Sequence, residues 1–549
     1  MLVGTTLMRA LLSAGAVMTV GVCYAGAKHW ASTVMAAGTS SVMNTSPKAT
    51  SPTSSILGGA TPMIRATEVS KSEEIVPPTQ IGMNLGTPNY WSSEWTFDDI
   101  IQSTAAIVFM TPDCRWLPLV DQIKLDTDGH PVSVPVGTRL NVVVQLGSPR
   151  IPMGTYDCTI SKGWSIRPFG AWQMEGSGTK FKMKVINQPN KAIVLLLTAT
   201  VPNADLKELS CKTTDGSGRR FNPTFLADNK PFGVLRFMDW MRTNNAAPRS
   251  WSARPTPAAF SQAGKQGVAI EHIVALANKL NADPWINLPF DADPDYYRQM
   301  AIYVRDNLAK DRRVYVELSN EVWNTLFQQA KDSETRGIAA YPGIPRSQAN
   351  DYYYADRVRA AMAIWSEVFA GQHKRLVRVL ASQAVNPRRA EQALSHLDTW
   401  RSVDALATAP YFGTDGANIS APPGQARINE IFARGPSIVD EAIRYARATK
   451  TVANKYGLRY VAYEGGPSFL SYRSDIRDDM FAVNADPRMY DLYALFLRRW
   501  KAEIGDLFVT YNSVSTPSVG GNWGHRIYTG QPLADAPKAR AITEAASVR

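Results

Sequence analysis

The chain has 549 residues, 45% of them hydrophobic and 19% charged, an ordinary globular balance with length for one large domain and a second module. Its net charge of +11 is scattered and comes with no helix-turn-helix, zinc-finger or RNA-binding signature, which argues against nucleic acid as a partner and leaves an anionic polysaccharide or an envelope surface as the milder attraction. Six histidines and the absence of any CxxC or Cys/His spacing argue against a metal centre, and no cofactor is expected.

In chain order, Arg9 precedes a moderately apolar run, Ala10 to Ala27, that ends in Ala25-Gly26-Ala27, the pattern of a cleavable leader. Residues 1–27 are therefore read as a signal peptide. The protein is expected to be exported, periplasmic or extracellular, and held at a membrane only if the leader stays uncleaved. Residues 28–78, rich in Ser, Thr, Ala and Pro, read as a disordered tether. Three cysteines then remain, Cys114, Cys158 and Cys211; one must be left unpaired, and Cys158–Cys211 is the preferred pair.

Order begins at Ile81–Gly86, a short buried strand ending in Asn84, followed by an aromatic loop with Tyr90, Trp91 and Trp95; residues 79–112 are assigned to this first strand and loop. Over 113–212 turn signals recur about every ten residues between short β-forming runs such as Arg139–Leu146 and Lys180–Ile186, which predicts an all-β sandwich. From 213 to 549 strands alternate with helices. A helix is expected at Ile270–Leu280, another capped by Asp293-Pro294 with a stripe of Tyr297, Met300, Ala301, Val304 and Leu308, a long one near 348–370, and one capped by Asp486-Pro487. Strands near 81, 234, 285, 314, 376, 405, 460 and 507 make eight units. Eight strand–helix units predict an α/β fold, a (β/α)8 TIM barrel, with the sandwich inserted between the first and second strands.

One of these strands carries chemistry at its end. In Val314–Asn324 the residues Val314, Val316 and Leu318 face one way and Tyr315, Glu317 and Ser319 the other, and Asn320-Glu321 follow at the mouth, where such barrels do chemistry. Arg459–Gly466 has the same build: a short strand ending in Glu464 and then two glycines, where the chain turns tightly or a ligand approaches. Two carboxylates about 5–5.5 Å apart across a sugar give retaining glycoside hydrolysis. A lone carboxylate at a strand end is most often a cap or an ion pair; the pairing at strands four and seven is what carries the stronger reading.

Asn320-Glu321 closing the fourth strand and Glu464 closing the seventh resemble the clan A glycoside hydrolases, retaining (β/α)8-barrel enzymes that include cellulases and mannanases. The resemblance spans about residues 81–101 and 221–530, and the run from Trp285 to Asn324 is similar to secreted bacterial cellulase-like proteins. It implies Glu321 as general acid/base, Glu464 as nucleophile, and Asn320 as donor to the sugar 2-hydroxyl. Arg236 would hold the nucleophile ionised, its alternative being a lumen salt bridge with Glu317. Tyr411 would donate to Glu464, although the histidine the family often has two residues earlier is Ala409 here. Trp523 would floor the cleaved subsite or, equally, fill a core. Trp240 and Trp323 are read as sugar-stacking or packing residues, and Asn84, Asn287 and Gln383 as candidates to line the cleft.

The leading expectation is an exported enzyme cleaving a β-linked polysaccharide by double displacement. A carbohydrate-binding envelope or matrix protein with a decayed barrel is the alternative, against which both glutamates and Arg236 speak. A transglycosylase using the same residues is a third reading.

Overall fold

The computed structural model describes residues 80–547 apart from 105, 111–115, 119–122, 147, 149, 151–152, 187–191, 216–217 and 248. The expected leader, the expected tether and Cys114 lie outside the described residues.

Eight parallel strands close into a barrel in sequence order: β1 (Ile81–Asn84), β2 (Val234–Arg236), β3 (Asp283–Leu288), β4 (Val314–Leu318), β5 (Leu376–Ala381), β6 (Ala405–Thr408), β7 (Arg459–Ala462) and β8 (Phe508–Thr510). Pairing of β8 with β1 closes the ring. All eight strand positions expected from the sequence are occupied.

The alternation in β4 sorts as its pattern predicts. Val314, Val316 and Leu318 pack outward with the helices, among them Met300, Val304, Val358 and Trp365. Tyr315 points into the lumen with Trp285, Val377, Val379, Ala405, Ala407, Val461 and Val509. The rings of Trp285 and Tyr315 stack at 5.2 Å and the alanines of β6 leave them room, so the barrel is a filled core rather than a pore.

The helices start where local chemistry says they should. The Asp293 side chain accepts the Tyr296 N–H at 2.7 Å and Pro294 takes the first helical position, where its missing N–H costs nothing. The helix Pro294–Asn307 then buries Tyr297, Met300, Ala301 and Val304. Ile270–Leu280 and Arg346–Val368 form close to their expected spans, and Asp486 accepts the Arg488 N–H at the start of Arg488–Glu503. Among the described residues no helix is long and apolar enough to cross a membrane.

Two antiparallel sheets lie in sequence between β1 and β2. One orders Leu209–Thr213, Gly154–Ile160, Lys180–Val185 and Trp172–Ser177; the other contains Ala106–Met110, Arg139–Gln145, Ile193–Ala199 and Trp164–Gly170 in that order. Strand structure thus begins before position 113. Both sheets contribute to one apolar cluster that includes Val142, Trp164, Trp172, Met183, Leu195 and Leu197. Gln145 donates to the carbonyls of Tyr90 and Ser92, and Arg150 lies 5.0 Å from the ring of Tyr528, so these sheets brace the loops after β1 and β8.

Cys158 and Cys211 face each other on neighbouring strands, 4.1 Å apart at Cα, and form the preferred disulfide. It closes a segment of 53 residues. Replacing both cysteines by alanine is expected to lower stability by about 2–4 kcal/mol. Urea unfolding followed by tryptophan fluorescence checks this; an unchanged midpoint contradicts it.

Candidate active site

β4 hands over to the site through strained backbone. Ser319 and Glu321, neither of them glycine, have φ of 64° and 43°, a left-handed conformation costing on the order of 1–3 kcal/mol each. Hydrogen bonds on both sides hold it: the Ser319 N–H to the Leu288 carbonyl at 2.7 Å, the Asn287 amide to the Ser319 carbonyl at 2.8 Å, and the Gln329 amide to the Asn320 carbonyl at 2.9 Å. The chain turns back at Asn320 and Glu321 instead of running on.

β7 ends the same way by other means. A Cβ on Gly465 would stand 2.8 Å from the Phe508 ring, and one on Gly466 would stand 3.0 Å from Thr510 Oγ1. The double glycine lets the chain after Glu464 pass against β8, a close approach of the protein's own backbone.

Between these two strand ends lies Arg236, fully buried at the end of β2. Its Nε and Nη2 donate to Glu317, with Nε and Nη2 at 3.1 and 2.9 Å from Oε2. Nη1 donates to Asn84 Oδ1 at 3.0 Å and to Glu464 Oε1 at 2.8 Å, and Nη2 also donates to Asn320 Oδ1 at 2.8 Å. A guanidinium has five N–H donors in a fixed fork, and all are engaged. The two readings of Arg236 from the sequence are therefore not exclusive: it pairs Glu317 and touches Glu464 at once. Burial works against its charge, and Glu317 and Glu464 more than offset that, so its pKa is raised.

The partners are themselves held. Glu317, at no exposure, also accepts from Trp285 Nε1 at 2.8 Å and from Asn287 at 2.9 Å. Asn84 donates to the carbonyls of Tyr463 and Thr510. Asn320 has its Oδ1 on Arg236 and donates through Nδ2 to Asn244 Oδ1 at 3.1 Å, while Gln329 grips Asn244 at 2.8 Å. That arrangement fixes the amide orientation of Asn320, with one Nδ2 hydrogen still to give.

The two glutamates at the mouth have unlike surroundings. Glu464 accepts from Arg236 on Oε1 and from the Tyr411 hydroxyl on Oε2 at 2.9 Å, so both oxygens face donors, one of them cationic. Glu321 accepts from Asn324 at 2.8 Å and from the Tyr463 hydroxyl at 3.1 Å, neutral groups only. Burial first, and then the charge of Glu464, push Glu321 up to about 7. The phenol of Tyr411 lies well above its ordinary value, through burial and the neighbouring Glu464, and stays a proton donor to that carboxylate.

Trp523 is partly exposed, with its ring 5.3 Å from that of Tyr411 and 6.0 Å from that of Tyr511. The other candidates separate. Trp240 is buried in the outer core with Phe225 and Phe237. Trp323 lines a small side cavity with Tyr354 and Arg389. Asn84 and Asn287 support Arg236 and Glu317 from below, and Gln383 is partly exposed after β5. Tyr463, Asn244, Gln329, Asp239 and Tyr511 went unnoticed in the sequence. Tyr463 was findable, as the inward-facing residue just before Glu464; Asn244, Asp239 and Tyr511 sit in loops with no motif, and Gln329 lies in the first turn of the helix Gln328–Ala340. Among the described residues no group of three or more His, Cys, Asp or Glu side chains is placed to hold a metal ion.

No protein-family model and no curated protein matches the chain. Among solved structures, a family 51 α-L-arabinofuranosidase from Bifidobacterium longum aligns at 10% identity over 59% of this chain and 66% of its own, with a TM-score of 0.38; this chain spans just under two thirds of that enzyme. Xylanase 10C from Cellvibrio japonicus aligns at 8% identity over 77% of this chain and 94% of its own, with a TM-score of 0.33. A family 1 β-glucosidase from Thermotoga maritima aligns at 11% identity over 59% and 86%, also at 0.33. These neighbours are clan A glycoside hydrolases. Likeness at that level decides nothing about activity, and the barrel rests on its own strand order.

Removing the buried guanidinium strands two carboxylates. Arg236→Ala is expected to cost about 3–5 kcal/mol of stability, whereas Tyr411→Phe, which deletes one hydrogen bond, costs about 1 kcal/mol. Parallel urea titrations measure both; equal losses would contradict the central place given to Arg236.

Proposed function

We propose that the protein is an exported retaining glycoside hydrolase acting on a β-linked polysaccharide. In this reading residues 1–27 are a cleaved leader and 28–78 a tether, and the two antiparallel sheets form a β-sandwich inserted in the first strand–helix connection, over about 106–213. The observation that carries the proposal is the contrast between the two mouth carboxylates: Glu464 lies against Arg236 and Tyr411, whereas Glu321 is buried among neutral donors with its pKa raised. Pairs of acids driven apart by their environments divide the roles of acid and nucleophile.

The steps follow from that division. Glu321 gives its proton to the glycosidic oxygen as Glu464 attacks the anomeric carbon, and the aglycone leaves with the proton. Glu321, now ionised, takes a proton from water, and the resulting attack frees the sugar from Glu464. Asn320 Nδ2, oriented by Arg236 and Asn244, donates to the sugar 2-hydroxyl. Tyr411 and Arg236 hold the nucleophile in place, and Trp523 floors the subsite.

Glu321→Ala is expected to lower kcat on a polysaccharide by roughly 10²–10⁴-fold, and Glu464→Ala to abolish turnover, with circular dichroism unchanged in both. Because Glu321 must be protonated in the first step, and the free enzyme holds that proton up to about pH 7, kcat/KM should fall as pH rises through that value. That limb should vanish in Glu321→Ala on aryl glycosides whose leaving group needs no proton. Wild-type rates in either variant would sink the assignment.

A further inference from the structure

A third carboxylate stands at the mouth beside Glu464. Asp239 follows Arg236 by three residues, on the loop leaving β2, and is partly exposed. Its Oδ2 accepts the Tyr511 hydroxyl at 3.0 Å. Tyr511 packs on Trp523, Trp523 on Tyr411, and Tyr411 donates to Glu464, so Asp239 closes a continuous wall on the nucleophile's side. Asp239 Oδ1 has no hydrogen-bond partner among the described residues, and it is not among the buried atoms left unsatisfied. Both oxygens of Glu464 and of Glu317 are engaged by the protein; this one is left to the cleft.

We propose that Asp239 is a substrate-binding residue on the nucleophile side of the cleft, accepting hydroxyl hydrogen bonds from a neutral sugar and rejecting a uronate there. The proposal rests on the glycosidase reading, since it takes Glu464 as marking the side that holds the transferred sugar. A carboxylate is an acceptor on every lone pair, which suits a ring carrying hydroxyls. A sugar carboxylate at that place would meet Asp239 and Glu464 together, and like charges brought together at a desolvated site are strongly disfavoured. The guanidinium that might offset them, Arg236, has every N–H committed, and Arg242 turns its Nη2 to the Ala263 carbonyl. Burial, and next the charge of Glu464, push Asp239 up to about 6, so it is still ionised at neutral pH. The basic net charge of the whole chain therefore does not describe this part of the cleft.

The test uses the full chain, neutral β-linked pentasaccharides of glucose, mannose and xylose, oligomers of mannuronate and of glucuronate, and chitosan pentamer. Wild type should cleave at least one neutral oligomer and leave both uronates untouched. On that neutral oligomer, Asp239→Ala should raise KM about 10–100-fold, the range for hydrogen bonds to a charged group, with a smaller change in kcat. Asp239→Asn, which keeps a partner for Tyr511 and guards against misfolding, should raise KM less and reduce the discrimination against uronates. An unchanged KM in Asp239→Ala, a wild-type preference for uronate, or a preference for the cationic chitosan oligomer overturns the proposal. If turnover still depends on Glu321 and Glu464, only the assignment of Asp239 falls. If no oligomer is cleaved at all, the glycosidase reading falls and takes this one with it.

Discussion

The site depends on one buried cation. Arg236 brings together Asn84 from β1, Glu317 and Asn320 from β4 and its following turn, and Glu464 from the end of β7. Burying a guanidinium is costly unless its charge is paired and every N–H is met. Here the fork has a fixed shape, so meeting every N–H also dictates where those four side chains stand. Glu317 supplies a dedicated counter-ion from inside the lumen, locked by Trp285 and Asn287. One hydrogen bond of the fork is thereby directed outward, to Glu464, without that bond having to neutralise the cation alone.

The backbone at the mouth shows the converse of this order. Leu318 is the last regular residue of β4, and the next three alternate into and out of left-handed conformation. Strain of this kind persists only where the surroundings over-determine it. Asn244, from the loop after β2, and Gln329, from the start of the helix Gln328–Ala340, do so by clamping Asn320 from the side opposite Arg236. Glu321 is consequently aimed by backbone, while Glu464 is aimed by side chains. The two carboxylates meet the cleft through different devices, and that is why their electrostatic surroundings differ.

The barrel was legible because parallel strands buried on both faces announce themselves. Val314 to Leu318 alternates between helix-facing and lumen-facing residues, and Asp293-Pro294 marks a helix start by its own hydrogen bonding. Glu321, Glu464, Arg236, Asn320 and Tyr411 were nameable because each stands at or just after a strand end. The helix Gln425–Lys455 continues for 31 residues with Pro436 inside it, where local chemistry argues for a break. Tertiary packing of Ile428, Ile431, Val439 and Ile443 overrides it. Asp239, Tyr511, Asn244 and Gln329 were invisible for another reason. Asp239, Tyr511 and Asn244 act from loops and Gln329 from the first turn of a helix, and each has a partner tens to hundreds of residues away.

The measurement that bears most directly on the account is covalent trapping. Dinitrophenyl 2-deoxy-2-fluoro-β-glycosides slow the second step more than the first, so a retaining enzyme accumulates its glycosyl intermediate. Intact mass followed by peptide mapping should find a single added sugar on Glu464, no labelling in Glu464→Ala, and slower labelling in Arg236 variants that remain folded. A label on another carboxylate, or turnover of the probe with no adduct at all, would contradict the division of roles that Arg236 is argued to impose.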